Sequence, residues 1–267
     1  MYWAVKLPYL LLLFGAISVN GSIENLLPHG PGVDNQFPSD GYDGSEDVIV
    51  EGEDDHGAVY VVDTDDWGEL HFKIGGSTGG ITVFFALPFD QPLNQCNKSG
   101  RVVEDRESKK RIYDIIGDEY CTANISLIVT WNRCQQNCYD ENQEEYMDYI
   151  YTFQIVVVAT KNTYYILYIY GEGGNNCGRP FALLDYRYSG NSQIYRIKHF
   201  EEGAADWTDL TTLSNVGQNG VYLLKYEPDS LQVSEPGLLP NSGTFCGTNE
   251  PDKADTDNGK SDFNCEF

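Results

Sequence analysis

Residues 153–170 read FQIVVVATKNTYYILYIY, and this stretch decides the fold class. Its first half, 153–159, is nearly all apolar, as expected for a strand that is covered on both faces. Lys161-Asn162-Thr163 predicts a three-residue hairpin loop, in which Asn162 can adopt a positive φ. The second half, Tyr164 to Tyr170, is rich in the aromatic residues that favour strands. The stretch therefore predicts an antiparallel hairpin.

Further strands are predicted on both sides of this hairpin, because short apolar or alternating runs are separated by turn residues. They cover 58–62, 70–74, 81–85, 101–104, 126–131, 195–197 and 220–226. Residues 109–116 have apolar side chains at spacings of three and four and are followed by Gly117, which predicts a short helix. The expected fold class is all-β: a β-sandwich-like domain with one or two short helices and an irregular, cysteine-containing C-terminal tail.

The first 21 residues have the pattern of a secretory signal peptide. Lys6 precedes an apolar run from Leu7 to Val19, which is shorter than the roughly 20 residues needed to span a bilayer. Cleavage is expected before Ser22, and a cut after Ser18 fits almost as well. The expected location is therefore secreted and extracellular. The rest divides into a domain over 22–233, with an acidic extended start at 22–57, and a linker with a polar tail over 234–267.

The charge balance excludes several classes of partner. Lys and Arg number 17 against 41 Asp and Glu, which gives a formal net charge of -24 over 267 residues. Binding to nucleic acid requires clustered cations, and so does binding to an anionic membrane surface. We therefore expect no nucleic acid partner and no docking on an anionic membrane surface. We also expect no membrane insertion, because no stretch after the first 21 residues is long and apolar enough to span a bilayer. A hydrophobic content of 41% with 13% aromatic residues is that of a folded chain.

Cysteine usage and glycosylation motifs agree with secretion. Most cysteines should pair in an oxidising compartment, but an odd number leaves at least one to remain free or to link two chains. The odd cysteine allows the chain to form a disulfide-linked oligomer. The sequence does not decide which cysteines pair. The seven are Cys96, Cys121, Cys134, Cys138, Cys177, Cys246 and Cys265. The motifs Asn97-Lys98-Ser99 and Asn124-Ile125-Ser126 predict N-glycosylation at Asn97 and Asn124.

The chain carries none of the catalytic motifs that we sought. It has no Gly-x-Ser-x-Gly, no Walker-type phosphate loop and no His-Glu-x-x-His. We therefore expect a non-enzyme with no catalytic residue and no cofactor. Calcium is the open alternative, because twelve acids lie between Asp40 and Glu69 and carboxylates suit Ca²⁺. The weak candidate ligands are Asp63, Asp65, Asp66, Asp255 and Asp257, and a solvated acidic segment is the simpler explanation at each place.

Several segments, taken in order, give the chain a family resemblance. The opening run reads LLPHGPGVD over 26–34 and is followed by the acidic stretch 40–45. The remaining segments are 86–89 with 100–107, then IVTW over 128–131, YTFQIVVVAT over 151–160, the tyrosine-rich 164–170, YRYSGN over 186–191 and LSNVGQNGVY over 213–222. Together, over about 25–227, they resemble the extracellular nidogen (NIDO) domain family. The chain departs from that family where Asp90-Gln91-Pro92 follows Pro-Phe, and in the cysteines around Cys96 and Cys134.

The resemblance implies a function in cell–matrix adhesion or extracellular matrix assembly, with matrix or cell-surface proteins as partners. It brings no catalytic residues, and it implies that Trp131, Phe153 and the tyrosines of the hairpin belong to the core. A second hypothesis is a soluble, acidic, secreted binding protein for calcium or a small ligand. A third is a secreted hydrolase, which a broad activity screen would detect.

Overall fold

The computed structural model describes residues 25–36, 62–64, 69–73, 80–86, 96–140, 145–173, 181–188, 191–197 and 207–247. Within them the chain forms two antiparallel sheets and two short α-helices. The all-β prediction with short helices is therefore confirmed. The predicted signal peptide, most of the acidic stretch 22–57 and residues 248–267 of the tail lie outside the described residues.

The larger sheet has seven strands in the order β1-β5-β6-β7-β8-β11-β12. These strands are β1 (Asn35–Gln36), β5 (Asn97–Val102), β6 (Ala123–Asp140), β7 (Glu145–Thr160), β8 (Tyr164–Tyr170), β11 (Val221–Glu227) and β12 (Gln232–Ser234). The smaller sheet has the order β10-β9-β4-β3-β2. Its strands are β2 (Val62–Thr64), β3 (Glu69–Lys73), β4 (Gly80–Ala86), β9 (Phe181–Tyr188) and β10 (Asn191–Arg196). The helices are α1 (Arg106–Ile116) and α2 (Trp207–Thr212), and two 3₁₀ helices cover Gly117–Thr122 and Phe245–Gly247.

The predicted hairpin is formed by β7 and β8, which pair from Phe153–Tyr170 to Ala159–Tyr164. The predicted three-residue loop joins them. Asn162 is not among the described residues with positive φ, so the loop closes without the left-handed conformation that the residue tolerates. β7 begins at Glu145, well before the predicted start, because its polar first half pairs with the end of β6. A bulge in β6 between Trp131 and Cys134 separates the two halves of this pairing.

Both faces of the hairpin are covered, as its apolar sequence predicts. All seven residues of β8 are buried. On one face, Trp131 stacks on Phe153 at 4.8 Å between ring centroids, and Trp207 of α2 packs edge-on against Tyr170 at 5.5 Å. On the other face, α1 buries Ile112 and its neighbours against the sheet. The strands of the hairpin are thus the middle layer of the described core.

Helix α1 has a defined start and end. Asp105 accepts a hydrogen bond from the backbone N of Ser108 at 2.7 Å and forms the N-cap, and Gly117 is the C-cap. The observed helix starts three residues before the predicted one. None of the described helices is long and apolar enough to cross a bilayer.

The start of the segment predicted as a linker is packed on α1. The backbone N of Leu239 donates to the carbonyl of Ile115 at 3.2 Å, and the N of Asp118 donates to the carbonyl of Pro240 at 3.1 Å. Gly117 lies against residues 239–240 and has a φ of 71°. A Cβ at this position would overlap the carbonyl oxygen of Pro240. These backbone hydrogen bonds therefore hold residues 239–240 on the end of α1.

Candidate functional site

The first described segment, Asn25–Asp34, is held on α1 and the seven-stranded sheet by side chains that bind three successive carbonyls. Arg111 donates to the carbonyl of Leu26 at 2.6 Å, Gln154 to that of Leu27 at 3.0 Å, and Arg101 to that of Pro28 at 3.1 Å. The Gln154 carbonyl also accepts from the backbone N of Leu27 at 2.7 Å. A single buried amide thus satisfies both backbone groups of Leu27, as a neighbouring strand would.

Arg101 forms a buried ion pair beneath this segment. Its Nε lies 2.9 Å from Oδ1 of Asp34, and the Asp34 side chain is 0% exposed. The other carboxylate oxygen of Asp34, Oδ2, accepts hydrogen bonds from the backbone N of Gly30 at 3.0 Å and from Oγ of Ser99 at 2.9 Å. A buried charge is stable only when it is paired and hydrogen-bonded. The pair therefore fixes the turn at 30–34 in one position.

The same arginine reaches the start of α1. Its Nη1 lies 2.8 Å from Oδ2 of Asp105, and its Nη2 donates to Oγ of Ser108 at 3.0 Å. Burial raises the pKa of Asp105. The hydrogen bonds from Ser108 and the charge of Arg101 lower it, and together they outweigh burial, so the pKa lies below its ordinary value. The N-terminal segment and the cap of α1 thus share one cation.

A pocket of about 180 Å³ opens beside this segment. Its floor consists of apolar side chains: Leu27, Ile112, Ile115, Leu167, Ile169 and Val221. Asn25, Arg111, Asp114 and Gln218 provide its polar lining. Pockets for drug-sized ligands usually measure about 300–1,000 Å³. The volume here suits one small apolar group with a polar end.

The structure brings one pair of the predicted cysteines together. Cys96, just before β5, and Cys134, in β6, lie at disulfide distance with Cα atoms 4.0 Å apart. Cys121 and Cys246 lie on the two 3₁₀ helices. Cys138 belongs to β6, whereas Cys177 and Cys265 lie outside the described residues.

The two sequon asparagines, Asn97 and Asn124, are exposed. They stand near opposite ends of the β5–β6 pair, since Asn97 is opposite Asn132, and Val102 is opposite Leu127. Both are therefore accessible to a glycan.

The structure describes one of the five calcium candidates. Asp63 lies in β2 opposite His71. The other four, Asp65, Asp66, Asp255 and Asp257, lie outside the described residues. Among the residues that the structure does place, no three His, Cys, Asp or Glu side chains are grouped to hold a metal ion.

Sequence reasoning did not identify Arg101, Gln154 or Asp34 as a connected group. One signal was present, because Gln154 is the only polar residue in 153–159 and a polar residue in a doubly covered strand needs a buried partner. Its partner is 127 positions away in the chain.

Comparison with protein-family models, with curated proteins and with solved structures finds no match, so the function has to be argued from the chain's own residues.

Proposed function

We propose that the chain is a secreted, non-catalytic module of the NIDO type that acts in cell–matrix adhesion or extracellular matrix assembly. One observation carries this proposal. Five of the segments that resemble the family, 100–107, 128–131, 151–160, 164–170 and 213–222, overlap β5, β6, β7, β8 and β11, which are consecutive neighbours in one sheet, whereas 186–191 lies on β9 and β10 of the smaller sheet. The opening run 26–34 is seated on the same sheet through Gln154 and Arg101. Segments that matched the family only by chance would not be expected to lie side by side in one sheet.

The burial of the shared aromatic residues supports a structural role for them. Trp131 and Phe153 are at most 1% exposed, and Tyr168, Tyr170 and Tyr222 are equally buried. Such side chains cannot touch a partner without unfolding. In this proposal the two antiparallel sheets belong to the β-sandwich-like architecture of the family, and partners bind its exposed surface.

Two features support extracellular location. Cys96 and Cys134 are placed at disulfide distance, and disulfides persist in oxidising compartments. Both sequon asparagines are exposed. The net charge of -24 further favours a matrix partner with a basic surface, and its binding should weaken as salt is added.

Expression of the full chain in secreting animal cells tests this proposal. We expect a processed N-terminus near Ser22 in the medium, a mass loss on enzymatic deglycosylation that Asn97→Gln and Asn124→Gln abolish together, and retention in the matrix that the cells deposit. The matched control is a secreted protein of similar size and charge that has no matrix function. Retention no greater than that of the control, or an unprocessed chain kept inside the cell, would contradict the proposal.

A soluble binding protein for calcium or a small ligand is the second candidate, and the 180 Å³ pocket favours its small-ligand form. Calorimetric titration with Ca²⁺ tests the calcium form. A site of millimolar affinity that Asp63→Asn, Asp65→Asn and Asp66→Asn remove would support it. Screening small apolar amines and amides by NMR tests the small-ligand form, with Ile169→Trp as the variant that fills the pocket.

A further inference from the structure

The C-terminal segment is anchored to the 3₁₀ helix Gly117–Thr122 through one carboxylate. Asp118 accepts hydrogen bonds from the backbone N of Ser242 at 2.9 Å and from the hydroxyl of Tyr113 at 2.8 Å. The hydrogen bond from Ser242 is the main reason that the pKa of Asp118 lies below its ordinary value. The Tyr113 hydroxyl also lies 3.1 Å from the carbonyl of Thr244. The segment therefore follows the 3₁₀ helix for at least these residues.

Two cysteines lie where these elements meet. Phe245 packs edge-on against Tyr113 at 5.2 Å between ring centroids. Cys246, the next residue, and Cys121 are both partly buried against the same apolar cluster as α1. The 3₁₀ helices that carry them approach within 8 Å between Cα atoms. Both thiols thus belong to one junction.

The geometry of a 3₁₀ helix places Cys121 on the side that faces the segment. Residues i and i+3 of such a helix are eclipsed, with a rise of about 6 Å between them. Cys121 therefore follows Asp118 along the same face, one turn further on. Cys246 follows Ser242, the partner of Asp118, by four residues.

We propose that Cys121 and Cys246 form a disulfide that fastens the C-terminal segment to the end of α1. The two thiols lose two protons and two electrons as the S–S bond forms, and a small-molecule or protein disulfide accepts them and becomes two thiols. The oxidising compartment belongs to the proposed function, but the pairing itself can be tested with glutathione in solution. Together with Cys96 and Cys134 this pair accounts for four of the seven cysteines. At least one of the remaining three, Cys138, Cys177 and Cys265, is then left for a link between chains.

Tryptic mapping of the oxidised full chain tests the pairing. Cleavage after Lys and Arg gives peptide 112–133, in which Cys121 is the single cysteine, and peptide 226–253, in which Cys246 is the single cysteine. The purified chain is oxidised with glutathione disulfide until its thiol content no longer falls, alkylated, deglycosylated and digested without reduction. We expect a species whose mass is the sum of these two peptides less two hydrogen atoms and which separates on reduction. Secretion is not needed for this result, so its failure is distinct from failure of the proposed function.

Two serine variants complete the experiment. Cys121→Ser should leave Cys246 open to alkylation, whereas Cys177→Ser, the matched control, should leave the linked species unchanged. Peptide 226–253 joined to peptide 261–267, which carries Cys265, would overturn the proposal. So would both peptides alkylated separately once oxidation has reached its plateau.

Discussion

Replacing Gly117 with alanine should loosen the C-terminal segment, whereas the same change at Gly217 should not. Both glycines have left-handed φ angles, 71° and 74°. A Cβ at Gly117 would overlap the carbonyl oxygen of Pro240, and a Cβ at Gly217 would have no heavy atom within 4 Å. The two variants share a positive φ, but Gly117 also has a ψ of −152°, a conformation that essentially only glycine adopts, and it alone has the clash.

The expected magnitudes follow from this difference. Alanine at a left-handed φ costs about 1 kcal/mol relative to glycine, after allowance for the entropy of the unfolded chain. Gly117→Ala also displaces the crossing at 239–240, where the hydrogen bonds of Leu239 N with Ile115 and of Asp118 N with Pro240 are made. Each contributes about 1 kcal/mol. We expect a loss of about 3 kcal/mol for Gly117→Ala and about 1 kcal/mol for Gly217→Ala.

Urea unfolding followed by tyrosine and tryptophan fluorescence measures both variants. A reducing buffer removes any contribution from disulfides, and thermal melts provide a second measure. A difference of about 2 kcal/mol corresponds to about 4–8 °C in melting temperature for a chain of this size. Equal losses in the two variants would show that Pro240 does not press on Gly117, and would refute the packing of the segment on α1.

Three further predictions concern the sheet and the N-terminal segment. Arg101→Met should lower the free energy of unfolding by about 3–5 kcal/mol, because the buried charge of Asp34 loses its partner. The control, Lys110→Met, lies in an exposed helical ion pair and should change it by at most about 0.5 kcal/mol. Similar effects of the two variants in urea titrations would contradict the buried pair. Phe153→Ala should cost about 3–5 kcal/mol in the same titrations, since the ring is 1% exposed and stacked on a tryptophan, and a loss below about 1 kcal/mol would refute its place in the core. The lowered pKa of Asp105 means that its ionised form stabilises the fold above the unfolded-state pKa of about 4, and that this stabilisation is lost as the pH falls through the lower folded-state pKa. Asp105→Asn should therefore flatten the fall in stability below about pH 4. Parallel pH profiles of the free energy of unfolding for the two proteins would be evidence against this role of Asp105.

The hairpin was predictable because its pattern is local. The apolar run 153–159, the loop and the return are all visible in a window of 18 residues. The first half of β7 is less visible, since its polar residues form a strand only by pairing with 134–140. Helix α2 was missed for a related reason. It has six residues, three of them threonines with low helix propensity, and the burial of Trp207 against Tyr170 stabilises it.

The candidate site was less predictable than the fold because its members are distant in sequence. Arg101 and Asp34 are 67 positions apart, and no periodicity links them. The sequence shows a lone glutamine in an apolar strand, and such a residue needs a buried partner, but nothing in the sequence identifies that partner as the backbone of Leu27. A disulfide pairing has the same limit, since seven cysteines allow many schemes and only the position of β6 beside β5 brings Cys134 to Cys96.

The hydrogen bonds between the backbone of Leu27 and the side chain of Gln154 also determine when the segment around Leu27 can dock during synthesis. The two residues are 127 positions apart. At about 5–20 residues per second, the segment that is made first waits about 6–25 s before its partner has been added to the chain. Leu26 and Leu27 lack their binding surface throughout that interval. The segment around Leu27 is therefore a late-docking element, and in a growing chain a chaperone has this interval in which to act on it.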